Sequence, residues 1–132
     1  VTTRDDDPDF TDEFCGFLQR YATGVDAAEL LLLLAKDPPR AWELAELHAQ
    51  LAALTTVGES DVQRHLDVLQ LGTLVTRNAD RRVRYRSSPA HDAHVATLGR
   101  LYVERPVTLF RVIYALRDAK IKTFADAFKL RG

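Results

Sequence analysis

The sequence predicts a mainly α-helical domain with one small β-hairpin near its middle and extra helices at both ends. Three observations carry that prediction. Apolar residues recur at helical spacing through most of the chain, between recognisable start and stop signals. One short stretch alternates instead, with Val83 and Tyr85 set between Arg82, Arg84 and Arg86 after an Asn78–Ala79–Asp80 turn. A chain of 132 residues, 46% apolar and 28% charged, holds one buried core and not two full domains.

Residues 1–8 are expected to be a disordered acidic tail, because Arg4, Asp5, Asp6, Asp7 and Pro8 offer nothing to bury. Residues 9–132 are expected to form a single domain, with a core over 24–88 and flanking helices over 9–23 and 90–131. From Asp9, the residues Phe10, Phe14, Phe17, Leu18 and Tyr21 fall on one helical face, and Gly24 ends that helix. Asp26 is positioned to cap the next helix, with Glu29 closing a capping box and Val25 and Leu30 at the staple positions. That helix carries the run from Leu30 to Ala35, apolar nearly all round, which marks it as the central core helix. Asp37, Pro38 and Pro39 stop it.

A further helix is predicted from about Arg40 to Leu54, with Trp42, Ala45, Leu47, Leu51 and Leu54 mixing core and flank. After a turn over Thr55–Gly58, Ser60 is read as a cap, with Gln63 closing a second capping box. Val62, Leu66 and Leu69 supply one apolar stripe, and Gly72 ends the helix. Thr73–Arg77 and Arg81–Ser87 read as the two strands of the hairpin, one face apolar and the other arginine. Beyond Pro89, Val95, Leu98, Leu101 and Tyr102 form a stripe that Arg105–Pro106 breaks. Pro106 suits the first turn of another helix, burying Leu109, Phe110, Ile113 and Leu116. A last amphipathic segment, Lys122–Leu130, sets Phe124 and Phe128 one turn apart.

The net charge of −1 conceals a split. Residues 1–76 carry 5 basic and 14 acidic side chains, a net −9, whereas residues 77–132 carry 13 and 5, a net +8. Such asymmetry predicts a directional surface. Arginine supplies 14 of the 18 basic residues, which suits forked recognition of phosphate or carboxylate. No apolar run approaches the ~20 residues of a membrane span, and the acidic opening lacks the basic start of a secretory signal. The expectation is a cytoplasmic protein with no membrane partner. The chain has no methionine, so a start residue is expected to have been trimmed or left out. Its single cysteine, Cys15, excludes an internal disulfide and a multi-cysteine zinc ribbon. It reads as a small buried hydrophobe, since the charges beside it are Asp12 and Glu13 rather than the cations a sensing thiol needs. His48 and His65 lie on different helices without a nucleophile at motif spacing, and there is no glycine-rich phosphate loop, nucleophile elbow or zincin pattern. No enzyme activity and no cofactor are therefore expected.

Helix, helix, turn, helix and basic hairpin is the order of a winged helix-turn-helix domain. Residues 60–75, with Leu66, Leu69, Gly72, Leu74 and Val75 at the pattern positions, followed by the arginine-rich hairpin, resemble the recognition helix, exit and wing of MarR-like and ArsR-like bacterial regulators. Thr73 makes the step from Gly72 to Leu74 one residue longer than usual. The resemblance covers residues 24–88. It implies a bacterial transcriptional regulator that binds double-stranded DNA as a homodimer joined by its terminal helices. The aromatic load of Phe10, Phe14, Phe17 and Tyr21 fits either such an interface or packing on the central helix.

Two groups of residues would carry DNA binding. Arg81, Arg82, Arg84 and Arg86, with Arg77 opposite, place five positive charges in ten residues against Asp80 alone. Alternate arginines on a strand stand ~7 Å apart, near the phosphate spacing of one DNA strand, so they suit the backbone or minor groove. Four such contacts per subunit would make the salt slope of log K about −7 for a dimer. The plainer reading is an edge strand protected by charge. Ser60, Gln63 and Arg64 are the candidates for the major groove, Gln63 for adenine and Arg64 for guanine. Asp61 and Asp67 on the same helix would repel phosphates, which leaves open a winged helix that binds protein as an adaptor. A third possibility is a metal- or ligand-responsive sensor using His91 and His94, which share a helix face but are only two ligands. The plainer reading of that pair is a polar first turn after Pro89.

Overall fold

The computed structural model describes residues 7–131, with side chains through residue 119. The protein is mainly helical with a two-stranded antiparallel sheet, in the order of a winged helix with a helical extension at each end. The elements are α1 (Asp12–Tyr21), α2 (Val25–Lys36), α3 (Leu44–Ala52), α4 (Glu59–Leu71), β1 (Val75–Arg77), β2 (Val83–Tyr85), α5 (Pro89–Glu104) and α6 (Pro106–Arg131). Among the described residues no helix is long and apolar enough to cross a membrane.

The central helix is α2, as its apolar run predicts. Leu30, Leu31 and Leu34 are fully buried, and α1, α3, α4, α5 and β2 all pack around it. Its start differs from the sequence expectation. Gly24 is the N-cap and offers no side chain, so Asp26 and Glu29 form no capping box. Both carboxylates are spent on other helices: Asp26 Oδ2 lies 2.9 Å from His65 Nε2 on α4, and Glu29 accepts from the Tyr102 hydroxyl on α5. Contacts distant in sequence outcompete the local cap.

The first helix begins at Asp12 rather than Asp9, capped by Thr11, whose hydroxyl accepts from Phe14 N at 3.2 Å. Phe10 precedes it in a turn and is nonetheless buried. The expected disordered tail is corrected at its end: residues 1–6 lie outside the described residues, but Asp7 is held in place. Its carboxylate accepts from Arg105 at 2.6 and 3.0 Å, and Asp9 accepts from Arg105 at 2.8 Å and Arg100 at 2.6 Å. These arginines hold both carboxyls below the usual range. Acidic residues with nothing to bury are thus ordered by cations almost a hundred positions away.

The helix predicted from Arg40 starts only at Leu44. Before it the chain is extended, and Trp42 exchanges two 2.8 Å backbone bonds with Val83, lying on the far side of β2 from β1. Glu43 then caps α3, with Glu46 Oε1 accepting from Glu43 N at 2.9 Å. The cap of α4 is likewise not Ser60. Gly58 is the N-cap, and its N–H donates to Asp61 Oδ2 at 3.1 Å. Val62, Leu66 and Leu69 are buried as the stripe predicts.

At the end of α4 the N–H of Leu74 donates to Leu69 O at 2.9 Å and that of Thr73 to Gln70 O at 3.1 Å. That pair of bonds is a Schellman ending. Thr73 takes its left-handed position, at φ 63°, which is where the extra residue of the Gly-Thr-Leu step goes. Gly72 stands one position earlier, beneath the ring of Tyr21, which a Cβ would overlap. The predicted break between α5 and α6 occurs at Arg105, and Pro106 opens α6. The side chains of Phe124 and Phe128 lie outside the described residues; the backbone there continues α6 without interruption.

Candidate nucleic-acid interface

The wing is built by register. Val75 pairs with Tyr85, Thr76 with Arg84 and Arg77 with Val83. Paired residues of an antiparallel ladder share a face, so Val75, Val83 and Tyr85 turn inward while Arg82, Arg84 and Arg86 turn out and are exposed. The alternation read from the sequence is therefore realised. The turn is held by Asn78, whose Oδ1 accepts from Asp80 N at 3.0 Å and Arg82 N at 2.9 Å, with Arg81 in the left-handed region at φ 65°. Its root is tied to α5 through Asp92, which accepts from the Tyr85 hydroxyl at 2.7 Å and Ser87 Oγ at 2.9 Å. Burial, with the nearby Asp92 carboxylate, pushes the Tyr85 hydroxyl up to about 12.

Arg77 does not belong to the outer face. Its register partner is Val83, so it points back toward α4, where its Nη2 donates to Asp67 Oδ1 at 2.9 Å. Arg82 is exposed but bonded to Glu43 Oε1 at 2.9 Å. Among the described residues, Arg81, Arg84 and Arg86 meet no carboxylate. Five cations close in sequence thus divide into two that are neutralised by the acidic half of the chain and three that face solvent.

The third helix of the core is held beside the wing by the Arg77–Asp67 bond, and its exposed side chains bond among themselves. Arg64 Nη2 donates to Asp61 Oδ1 at 2.7 Å, and Gln63 Nε2 donates to Asp67 Oδ1 at 2.9 Å. Ser60 is exposed in the first turn. The Gly58 N–H and then Arg64 hold the Asp61 carboxyl below the usual range, so it stays charged at neutral pH. With Glu59, Asp61 and Asp67 against Arg64, the exposed side of α4 is acidic.

The histidine pair is built into an aromatic cluster. The ring of Phe17 lies 5.8 Å from His91 and 5.2 Å from His94, and Tyr21 stands edge-on to His91 at 5.6 Å. Among the described residues no group of three or more His, Cys, Asp or Glu side chains converges to hold a metal ion. Cys15 is buried. His48 bonds Val57 O, a local contact, whereas His65 reaches Asp26 across the core.

A groove of about 550 Å³ at the wing root was not anticipated from the sequence. It lies between the end of α4, the hairpin and the start of α5, and its lining includes Gln70, Thr73, Thr76, Arg77, Arg86 and Ser87. The signal for it was diffuse, because its residues span three elements. Compared with known proteins, the chain matches no protein-family model, and no curated protein or solved structure is significantly similar to it.

Proposed function

We propose that the chain is a non-catalytic, DNA-binding transcriptional regulator that grips the sugar–phosphate backbone or minor groove with its wing. The observation that carries this reading is the outward face of the hairpin: Arg84 and Arg86 alternate on it, with Arg81 at the turn, and none is paired with a carboxylate among the described residues. Exposed guanidiniums at strand spacing match the spacing of phosphates, and each phosphate contact gains affinity by counterion release. The third helix contributes second. Gln63 and Arg64 reach base edges only by giving up Asp67 and Asp61, which costs part of the gain. A homodimer would double the wing. Large apolar side chains left outward on the terminal helices, Val103, Val107 and Tyr114, support such an interface.

Charge reversal tests the reading. Arg81→Glu with Arg84→Glu should abolish retention of a 20–30 bp duplex at low salt while the circular dichroism spectrum stays unchanged. Unchanged retention in that folded variant would overturn the role of the wing. One observation favours a second reading, a protein-binding adaptor: α4 carries Glu59, Asp61 and Asp67 beside the highly exposed Leu71, a surface suited to a basic, apolar partner rather than to DNA. Selection of bound fragments from genomic DNA separates the two, since the adaptor predicts no enrichment.

A further inference from the structure

We propose that the groove at the root of the wing is a binding site for a phosphoryl group. Its volume of about 550 Å³ suits a small polar ligand. In a chain with 19 acidic residues, none of the side chains lining it is a carboxylate. Two guanidiniums line it, Arg77 from β1 and Arg86 from just beyond β2, together with Thr73, Thr76 and Ser87. The Thr73 and Ser87 hydroxyls donate to Gly72 O and Asp92 Oδ1, so Thr76 supplies the hydroxyl donor. Arg86 has no carboxylate partner among the described residues. Arg77 is anchored by one edge only: Nη2 is bonded to Asp67, while Nε is buried and without an acceptor. A buried N–H left unpaired is costly. Anchoring also pre-organises the guanidinium, which lowers the ordering cost of binding.

A phosphoryl group fits this donor set better than a carboxylate does. It presents three charged oxygens to two guanidiniums and the Thr76 hydroxyl, whereas a carboxylate is filled by one guanidinium fork. Its charge would also be felt on α4, because Asp67 Oδ1 holds both Arg77 and Gln63. Two sources present the same chemistry: a phosphate of the nucleic-acid backbone, or a small phosphorylated metabolite.

The test is a titration of the full chain with inorganic phosphate at constant ionic strength, followed by amide NMR signals. The expected result is a saturable shift confined to Gln70, Thr73, Thr76 and Ser87. Arg86→Gln, an exposed position that leaves the core intact, should weaken it about tenfold, the loss of one charge-assisted contact. Arg77→Gln should act in the same direction, and Arg111→Gln, on the exposed side of α6, should leave it unchanged. Scattered or non-saturating shifts, or equal weakening by Arg111→Gln, would overturn the site. A 20–30 bp duplex then distinguishes the sources. If it displaces inorganic phosphate from the groove, the source is the nucleic-acid backbone; if phosphate stays in the duplex complex, the source is a small molecule. Phosphate binding without duplex binding would sink the DNA reading and leave the groove standing, and the converse result would do the reverse.

Discussion

Thr73 is a β-branched residue in the left-handed region, at φ 63°, in the position where a helix ending of this type favours glycine. Left-handed backbone costs a residue with a Cβ roughly 1–2 kcal/mol, offset in part by the greater chain entropy of an unfolded glycine. Thr73→Gly should therefore stabilise the protein by about 1 kcal/mol, seen as a higher urea midpoint at unchanged slope. Tyr102 makes the opposite case. Its hydroxyl donates to Glu29 on the central helix, and that hydrogen bond, with burial, pushes its pKa up to about 12. Tyr102→Phe should cost about 1 kcal/mol at neutral pH. The sign of the pH effect follows from a folded pKa above the unfolded value of about 10. The contribution is complete below pH ~10 and is lost as pH rises toward 12. The stability–pH curve of Tyr102→Phe should accordingly fall less steeply between those limits than that of the wild type.

Among elements, the junction of α5 and α6 is a clasp. Arg105 ends α5, takes both Asp7 and Asp9, and lies 5.8 Å from the ring of Phe10, whose backbone carbonyl accepts from the Cys15 thiol. Arg105→Gln should loosen the segment before α1 and make the Cys15 thiol react measurably faster with an alkylating reagent, as local opening becomes easier. Acid should act along the same route. The carboxyls of Asp7 and Asp9 are depressed in the folded state, so their contribution is present above the unfolded value near 4 and is lost as pH falls through the folded values. Denaturation curves across pH 2–5 should be shallower for Arg105→Gln, and an equally steep acid limb would show that the clasp carries no stability. None of this was legible as an element. The tail reads as unburied acid, and its partner stands at the far end of the chain. The helices themselves were legible, because the stripes Val62–Leu66–Leu69 and Val95–Leu98–Leu101 depend only on spacing. Their starts were not, since Asp26 has a partner on α4, Gly58 rather than Ser60 caps α4, and α3 starts after Glu43 rather than at Arg40.

Across the whole molecule, the acidic first half folds onto the basic second half. Asp7, Asp9, Glu43 and Asp67 pair with Arg105, Arg100, Arg82 and Arg77. That pairing takes two of the five wing arginines and leaves three for a polyanion. With Arg81, Arg84 and Arg86 meeting no carboxylate among the described residues, the salt dependence of DNA binding should have a slope of about −3 per chain, against about −4.5 if all five wing arginines met phosphates. Anisotropy of a labelled duplex over a range of NaCl concentrations measures it, and a slope near zero would remove phosphate contact from the account. The sequence by itself determined the helical class, the central helix, the hairpin and its arginine face, because periodicity and alternation are set by neighbours along the chain. Only the tertiary structure decided which arginines remain available, since Asp67 is ten residues from Arg77 and Glu43 is thirty-nine from Arg82. Charge pairing depends on distance in space, and spacing along the chain carries no record of it.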